Sequence, residues 1–593
     1  MEPTRAEAIR GILRERDLDG FIQPRNDEFL GEFVSPSDER LAWLTGFTGS
    51  AGLAILLPDR AAVFSDGRYM IQLAQQIDPL IWERVRIADM SPVEWLRVNA
   101  PPGACIGYDP WLMSAETIEK FSKAGIALAA IANPIDTLWE NRPKPYPAPA
   151  RLHGLEFAGE SAEHKRARIG AAIGSEGVDA VLLTDPHAVA WLLNLRGSDL
   201  PYTPILLATA LLRNDGSAEL YVDPLKLNDA VRAHLGHDVT VVPRESMVRS
   251  LSTLQGQRVR IDSATAPIRY MQILSEAGAS VVFGYDPCVL PRAIKNRVER
   301  KGARVAHRRD AVAMCRFLAW FIAEAPTEGL DEMSAAAKLL EFRSTAPEFR
   351  SESFPSISAA GEHGAIVHYH ANDSTNRPIR RNEIYLIDSG GQYPDGTTDV
   401  TRTLWTGPGT PPSDVRECYT RVLAGHIALA RARFPEGTSG PMLDALARTV
   451  LWDAGLDYDH GTGHGVGSYL SVHEGPVAFH RTGKPVPLAS GMILSDEPGC
   501  YREDRYGIRL ENLLLVREAA LSAAKPFLEF ETLTLVPFDM RLVDVPLLDA
   551  RSRMWLDAYH ARVLGEIGPL LDESTRNLLT GLSCDDWMSI ASS

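Results

Sequence analysis

Five side chains able to ligate a metal, Asp388, Asp399, His464, Glu497 and Glu511, recur in order through the C-terminal third of the chain. Asp388 closes the apolar run Ile384 to Ile387 in NEIYLIDSG, and Asp399 opens TDVTRTLW, where Asp399, Thr401 and Thr403 share one face of an alternating stretch. The intervening GGQYPDG is expected to turn the chain, bringing the two acids onto adjacent strands. Carboxylates so placed repel each other, and burying them is costly unless a cation lies between them. Singly, each Asp is equally well explained as a solvated turn residue. The D-x-D-x-D-G spacing of a calcium loop is absent.

In HGTGHGVG, His460, Thr462, His464 and Val466 alternate with Gly461, Gly463, Gly465 and Gly467. If extended, one face carries every side chain, and the glycines let a neighbouring backbone approach the other. A phosphate loop is disfavoured, because neither GK[ST] nor GxGxxG follows a strand here. MILSDEPG places Glu497 at the end of an apolar strand, and GIRLENLLLV places Arg509 and Glu511 on one face. A lone Glu in a strand is ordinarily a salt-bridge partner, but the cluster reverses that reading. Four carboxylates and one imidazole make a hard, oxygen-rich site that suits Mn²⁺ better than a thiolate-rich or multi-His zinc site would. Two divalent ions sharing it would lower the pKa of a common water and polarise a carbonyl, which is the chemistry of amide or ester hydrolysis.

Such a site needs a scaffold. At 593 residues the chain exceeds what one core organises, and about three domains of mixed α/β (α+β) character are expected. The first 140 or so residues alternate helical and strand patterns, and NRPKPYPAPARLHGL, with four prolines, marks a linker. The pattern then restarts: LAWLTGFTGS at Leu41 to Ser50 aligns with VAWLLNLRGS at Val189 to Ser198, so two copies of one α/β module are expected. A second boundary falls near PRAIKNRVERKGARVAHRRD, before the helical pattern DAVAMCRFLAWFIAE. The region from Pro537 onward has helical spacing without a catalytic pattern, and core packing or a subunit contact is expected of it.

With 45% hydrophobic and 23% charged residues, and no run approaching ~20 apolar residues, no membrane association is expected. The charged start, MEPTRAEAIRGILRERDLDG, lacks an apolar secretory segment, and a cytoplasmic location is expected. Six cysteines without CxxC spacing are expected to be reduced thiols. A net charge of −16 argues against nucleic acid and anionic membranes as partners.

Taken together, YLIDSGGQYPDGTTDVTRT, HGTGHGVG, VHEGP, SDEPG and GIRLEN resemble the pita-bread metallopeptidases, with order and spacing similar to the long, three-domain X-prolyl aminopeptidases. DGRY near Arg68 and NLRGSD near Arg196 extend the resemblance over nearly the whole chain. It implies two creatinase-like N-terminal α/β domains, residues 1–145 and 146–295, followed by a pita-bread catalytic domain, residues 296–593. It further implies Asp388 and Asp399 on one ion, His464 and Glu497 on the other, and Asp399 and Glu511 bridging. By the same resemblance, His368 in GAIVHYH approaches the scissile carbonyl, His473 in VHEGP the substrate or intermediate, and His460 lines the pocket. Considered alone, each histidine is accounted for as a hydrogen-bonded core or surface residue. Arg68 and Glu32 are expected to reach substrate from the first domain, and Arg509 to contact it. Two positions depart from the pattern: Cys500 follows EPG where tyrosine is frequent, and His370 has no counterpart.

The implied reaction releases the N-terminal residue from peptides with an N-terminal Xaa-Pro sequence, Glu497 relaying a proton to the departing proline nitrogen. A homodimer through the catalytic domain is implied as well. Prolidase, which cuts only X-Pro dipeptides and usually has one N-terminal domain, is the nearest alternative. Methionine aminopeptidase resembles only the catalytic module, and metal-free creatinase-like hydrolysis conflicts with the complete ligand set. Non-enzymatic binding proteins of this fold have lost ligands, whereas none is missing here.

Overall fold

The computed structural model describes residues 4–145, 148–521 and 524–583, so Cys584 lies outside the described residues. The chain divides into two compact units, Met1–Leu155 with Glu160–Val289, and Leu290–Ser593 with Glu156–Gly159.

The first unit contains two six-stranded sheets. Helix α1 (Arg5–Glu15) starts at a capping box, in which the Thr4 hydroxyl accepts from the Glu7 amide and the Glu7 carboxylate accepts from the Thr4 amide. It buries Ala6, Ile9 and Leu13 at helical spacing. The first sheet comprises β1 (Gly20–Pro24), β2 (Leu53–Leu56), β3 (Ala61–Ser65), β4 (Glu83–Arg86), β5 (Cys105–Tyr108) and β6 (Ala127–Ala130), in the order β4-β3-β2-β1-β5-β6. Its four inner strands are nearly fully buried because both faces are covered, whereas the edge strands β4 and β6 are largely exposed. Phe21, Ala54, Leu56 and Val63 join the core containing α1, while Ile22, Ile55, Ala62 and Phe64 join a second core around Trp95 and Phe121.

After the proline-rich stretch, helix α2 (Ala162–Ser175) leads into β7 (Ala180–Leu183), β8 (Thr209–Arg213), β9 (Ala218–Tyr221), β10 (Val239–Val242), β11 (Arg258–Ile261) and β12 (Ser280–Phe283). Their order, β10-β9-β8-β7-β11-β12, repeats that of the first sheet. In each copy the first strand is antiparallel to its successor and parallel to the fifth strand. The faint repeat in the sequence is therefore a duplicated topology.

The second unit opens on α3 (Arg297–Glu324), whose N-cap Asn296 forms a capping box with Glu299. Met314, Phe317, Leu318 and Phe321 pack into a core with Tyr385, Ile387 and Leu404, and the Phe321 and Tyr385 rings stack 4.3 Å apart. Helix α4 (Glu332–Ser344) follows. One sheet pairs β13 (Ile357–Ala360), β14 (Ile384–Ser389) and β15 (Val400–Trp405) antiparallel, with Asp388 opposite Thr401. Helix α5 (Ser413–Ala430), β16 (Arg433–Pro435) and helix α6 (Gly440–Trp452) follow, and β16 joins β19 (Phe527–Thr532), β18 (Asn512–Glu518) and β17 (Ile493–Asp496) in a second sheet. The hairpin Gly499–Arg502 with Tyr506–Arg509 projects between β17 and β18.

The C-terminal helix α7 (Ala550–Ile567) buries Leu556, Tyr559, His560 and Val563. The Tyr559 hydroxyl donates to the Val536 carbonyl at 2.7 Å and lies 3.1 Å from Arg402 Nη2. This accords with the core-packing expectation for the tail.

Candidate active site

Each predicted ligand sits where a strand ends or breaks, so its side chain is fixed by the sheet while its backbone is free to turn. Asp388 lies near the end of β14, and Asp399 immediately before β15. Glu497 follows β17, and Glu511 occupies the break before β18. HGTGHGVG departs from a continuous extended run: only Gly463–His464 forms a strand, paired with Ala478–Phe479. The close approach expected of its glycines is present. A Cβ on Gly463 would stand 1.9 Å from the Ser495 carbonyl oxygen, and one on Gly465 would stand 2.1 Å from that of Glu474. Bare backbone here lets His464 lie against the strand that leads to Glu497.

Ligand-capable atoms of Asp399, His464 and Glu511 all lie within 4.8 Å of one another. His464 Nε2 is 3.6 Å from Asp399 Oδ2 and 3.5 Å from Glu497 Oε1. Its Nδ1 donates to the Gly465 carbonyl at 2.9 Å, so Nε2 is the nitrogen aimed at the acids and the one a metal would take on displacing its proton. Burial alone would lower the imidazole, but Asp399 and Glu497 outweigh it and hold it at about 9. The carboxylates respond in the opposite sense. Burial pushes Glu497 up to about 7, with Asp399 adding to the shift and His464 opposing it. Burial, followed by the charges of Asp399, Glu497 and Asp388, raises Glu511 well above the usual range.

Acids crowded in this way are stable as anions only if cations compensate them. Three of them, Asp388, Asp399 and Glu511, each keep one buried oxygen without a hydrogen-bond partner, namely Oδ1, Oδ1 and Oε1. That is the donor set of a hard divalent metal, and the residues present fit one.

A second layer holds these groups. Arg509 Nη2 donates to Asp388 Oδ2 at 2.7 Å, and its Nη1 to the Tyr501 hydroxyl at 2.9 Å. That hydroxyl donates in turn to His460 Nε2 at 2.8 Å, since His460 Nδ1 donates to the Gly461 carbonyl. Both terminal nitrogens of Arg509, expected on the substrate side, are thus engaged inside the site. Thr401 donates to Glu511 Oε2 at 2.7 Å, and Ser495 donates to Glu497 Oε1 at 3.2 Å. Arg402, fully buried, donates to the Glu511 and Thr401 carbonyls at 2.6 and 2.8 Å and to Asn512 Oδ1 at 2.8 Å. Asp444 accepts from Thr462 at 2.6 Å and from Arg448, whose Nη2 also donates to the His460 carbonyl at 2.7 Å.

Of the remaining predicted residues, His473 lies with its ring edge-on to that of His464, centroids 4.3 Å apart. His368 is half-buried in the irregular segment that follows β13. Arg68 belongs to the other unit, where its guanidinium chelates Asp66 at 2.9 and 2.7 Å; nearby, Glu32 accepts from Ser50 at 3.1 Å. Cys500 is a buried free thiol, and His370 is exposed. Sequence reasoning missed Arg402, Tyr501, Asp444 and Ser495. Only Arg402 carried a signal, as a charge on the apolar face of an alternating strand.

Comparison with known proteins places these features in a family. Residues 301–518 match the model of metallopeptidase family M24, and residues 526–581 the C-terminal region of peptidase M24. Residues 5–138 and 141–299 each match a creatinase/prolidase N-terminal domain. The chain is 38% identical to aminopeptidase P2 of Arabidopsis thaliana, over 96% of this chain and 86% of that protein. The crystal structure of X-prolyl aminopeptidase from Caenorhabditis elegans, described as a cytosolic enzyme with a di-nuclear active site, is similar with a TM-score of 0.92 and 33% identity. That match covers 98% of this chain and 99% of that one. Xaa-Pro dipeptidase from Bacillus anthracis shares the fold at 23% identity and a TM-score of 0.52, covering 64% of this chain and 99% of its own. The architecture is thus two creatinase-type N-terminal domains and a pita-bread catalytic domain.

Proposed function

The chain belongs to metallopeptidase family M24, and from that premise we propose that it is an X-prolyl aminopeptidase, releasing the first residue of peptides whose second residue is proline. The observation that carries the reading is the set of three orphaned carboxylate oxygens around an imidazole whose Nε2 is turned towards the acids. Asp388, Asp399, His464, Glu497 and Glu511 would hold two divalent cations, and the oxygen-rich donor set favours Mn²⁺. When bound, such a pair lowers the pKa of a shared water and polarises the scissile carbonyl.

The protein's own groups account for the rest. Glu497 accepts the proton of the attacking water and returns it to the proline nitrogen, which as a tertiary amide leaves only once protonated. A peptide with proline second offers no N–H at that position and a fixed φ, which excludes sites built to grip an extended N–H-bearing backbone. His460 is held at the pocket by Tyr501, while His368 and His473 supply polar contacts to the scissile region and the intermediate. A substrate-binding role for Arg68 is part of the same proposal.

The domain limits 1–145, 146–295 and 296–593 are part of the same proposal, supported by the sheets spanning Gly20–Ala130 and Ala180–Phe283 and by the helix cap at Asn296. So are a homodimer and a cytoplasmic location. Among the described residues no helix is long and apolar enough to cross a membrane.

The deciding experiment is product identification by mass spectrometry, with manganese-loaded protein given an X-Pro-X tripeptide and an X-Pro dipeptide. Release of the first residue from the tripeptide supports the reading. Cleavage of the dipeptide alone would replace it with prolidase activity, and cleavage of neither would refute it.

A further inference from the structure

Between η-helical Gly361–Ala365 and the bridge at Pro378, residues 366–377 form neither helix nor strand. His368 lies in this stretch, where turn bonds from the Ile366 amide to the His363 carbonyl and from the Tyr369 amide to the Ile366 carbonyl are joined by side-chain anchors. One side chain supplies several of these anchors. Glu332, the first residue of α4, is fully buried, and its carboxylate accepts from four donors. The Ala360 amide donates to Oε1 at 2.8 Å, and His363 Nδ1 reaches Oε1 and Oε2 at 2.9 and 3.1 Å. The Tyr369 hydroxyl and the Arg377 amide donate to Oε2 at 2.8 and 3.2 Å.

Those four anchor points bracket His368 on both sides, and one is its immediate neighbour. The Tyr369 ring also packs on the His363 ring, centroids 4.4 Å apart, which fixes the turn between them. A carboxylate removed from water is replaceable by an apolar residue where only packing is needed. Here it cannot be replaced without leaving buried donors unpaired. The start of α4 contributes a favourable dipole to the anion. The anchored Tyr369 is buried while His368 stays half-exposed, so the clamp draws one neighbour inward and leaves the other open to solvent.

We propose that Glu332 is a positioning residue for His368, acting through Tyr369, His363 and the two backbone amides to hold the imidazole where the substrate binds. This rests on the aminopeptidase reading and on the place that reading gives His368. The Glu332 carboxylate is taken up by protein donors, so its role is to position rather than to bind.

The test is a double-mutant cycle on the manganese-loaded full chain with an X-Pro-X tripeptide. It uses Glu332→Gln, Tyr369→Phe and His368→Ala singly, and each clamp variant combined with His368→Ala. His368→Ala is expected to lower kcat/KM at least about tenfold, and each clamp variant severalfold with bound manganese unchanged. Each double variant should match His368→Ala within about twofold, because the clamp acts only through that imidazole. Losses that multiply would overturn the proposal, as would a Tyr369→Phe enzyme indistinguishable from wild type. If Glu332→Gln does not fold, the Tyr369→Phe arm decides alone. A wild-type chain that leaves the tripeptide intact would instead refute the aminopeptidase reading, and an unimpaired His368→Ala variant would refute the role of His368 on which the clamp depends.

Discussion

Arg509 and Asp388 form an ion pair 2.7 Å long, with side-chain exposures of only 2% and 10%. Because the second Arg509 nitrogen holds Tyr501, the guanidinium fork sets the direction of a proposed metal-ligand carboxylate and of the His460 side chain together.

Lysine in place of Arg509 keeps a charge but cannot serve both partners. Arg509→Lys is therefore expected to lose about 10–100-fold in manganese affinity or in kcat/KM. Metal content by mass spectrometry across graded free Mn²⁺, with parallel kinetics, checks this. Wild-type values for both would show that the fork is dispensable.

Glu497→Gln preserves shape and an oxygen ligand but cannot accept a proton. With manganese bound, its kcat is expected to fall by about 10²–10⁴-fold, the usual contribution of a general base. Near-normal turnover by the metal-loaded variant would assign the proton transfer to another group.

Gly463 faces backbone, not a movable side chain, so a methyl group there has no escape. Gly463→Ala is expected to cost about 1–3 kcal/mol of stability and to weaken metal binding by pushing His464 off β17. The comparison is Gly565→Ala, where a Cβ meets nothing within 4 Å. That variant should be neutral or slightly stabilised in the same thermal melts. Equal behaviour of the two variants would contradict the close-approach argument.

Asp27 is only 2% exposed, and burial pushes its carboxyl up to about 7, against the opposing amide donors Gly31 and Phe29. The folded form therefore keeps this proton up to about pH 7, while the unfolded chain releases it near its ordinary value of 3.8. Within that window the folded state binds more protons, so stability falls as pH rises, by at most about 4 kcal/mol. Asp27→Asn removes the titration. Hydrogen exchange of the segment around residues 25–35 should show protection in the variant increasing relative to wild type from pH 4.5 to 8. A difference independent of pH would contradict the shift.

Much of the site was legible because strand periodicity and turn residues are local signals. The apolar run ending at Asp388, the alternation through Thr401 and Thr403, and the strand before Glu497 all appear in the fold. The extended reading of HGTGHGVG held only at Gly463–His464, since Thr462 and the His460 carbonyl are tied instead to Asp444 and Arg448 on α6. The roles of Arg402 and Glu332 were illegible for a related reason, although Arg402 stood out as a charge between Val400 and Leu404 on an apolar face. Their partners are carbonyls and donors far along the chain, such as Pro537 for Arg402 and Arg377 for Glu332, which no local pattern announces. The resemblance pointed to the proposed ligands but was silent on what holds them.

The most direct test of the account is the number of manganese ions bound per chain at equilibrium, measured by mass spectrometry alongside tripeptide hydrolysis. Two ions per chain are predicted, with activity lost on chelation, recovered in step with reloading, and occupancy reduced by Asp399→Asn. Fewer than one ion per chain, or hydrolysis that persists in the chelated protein, would contradict it.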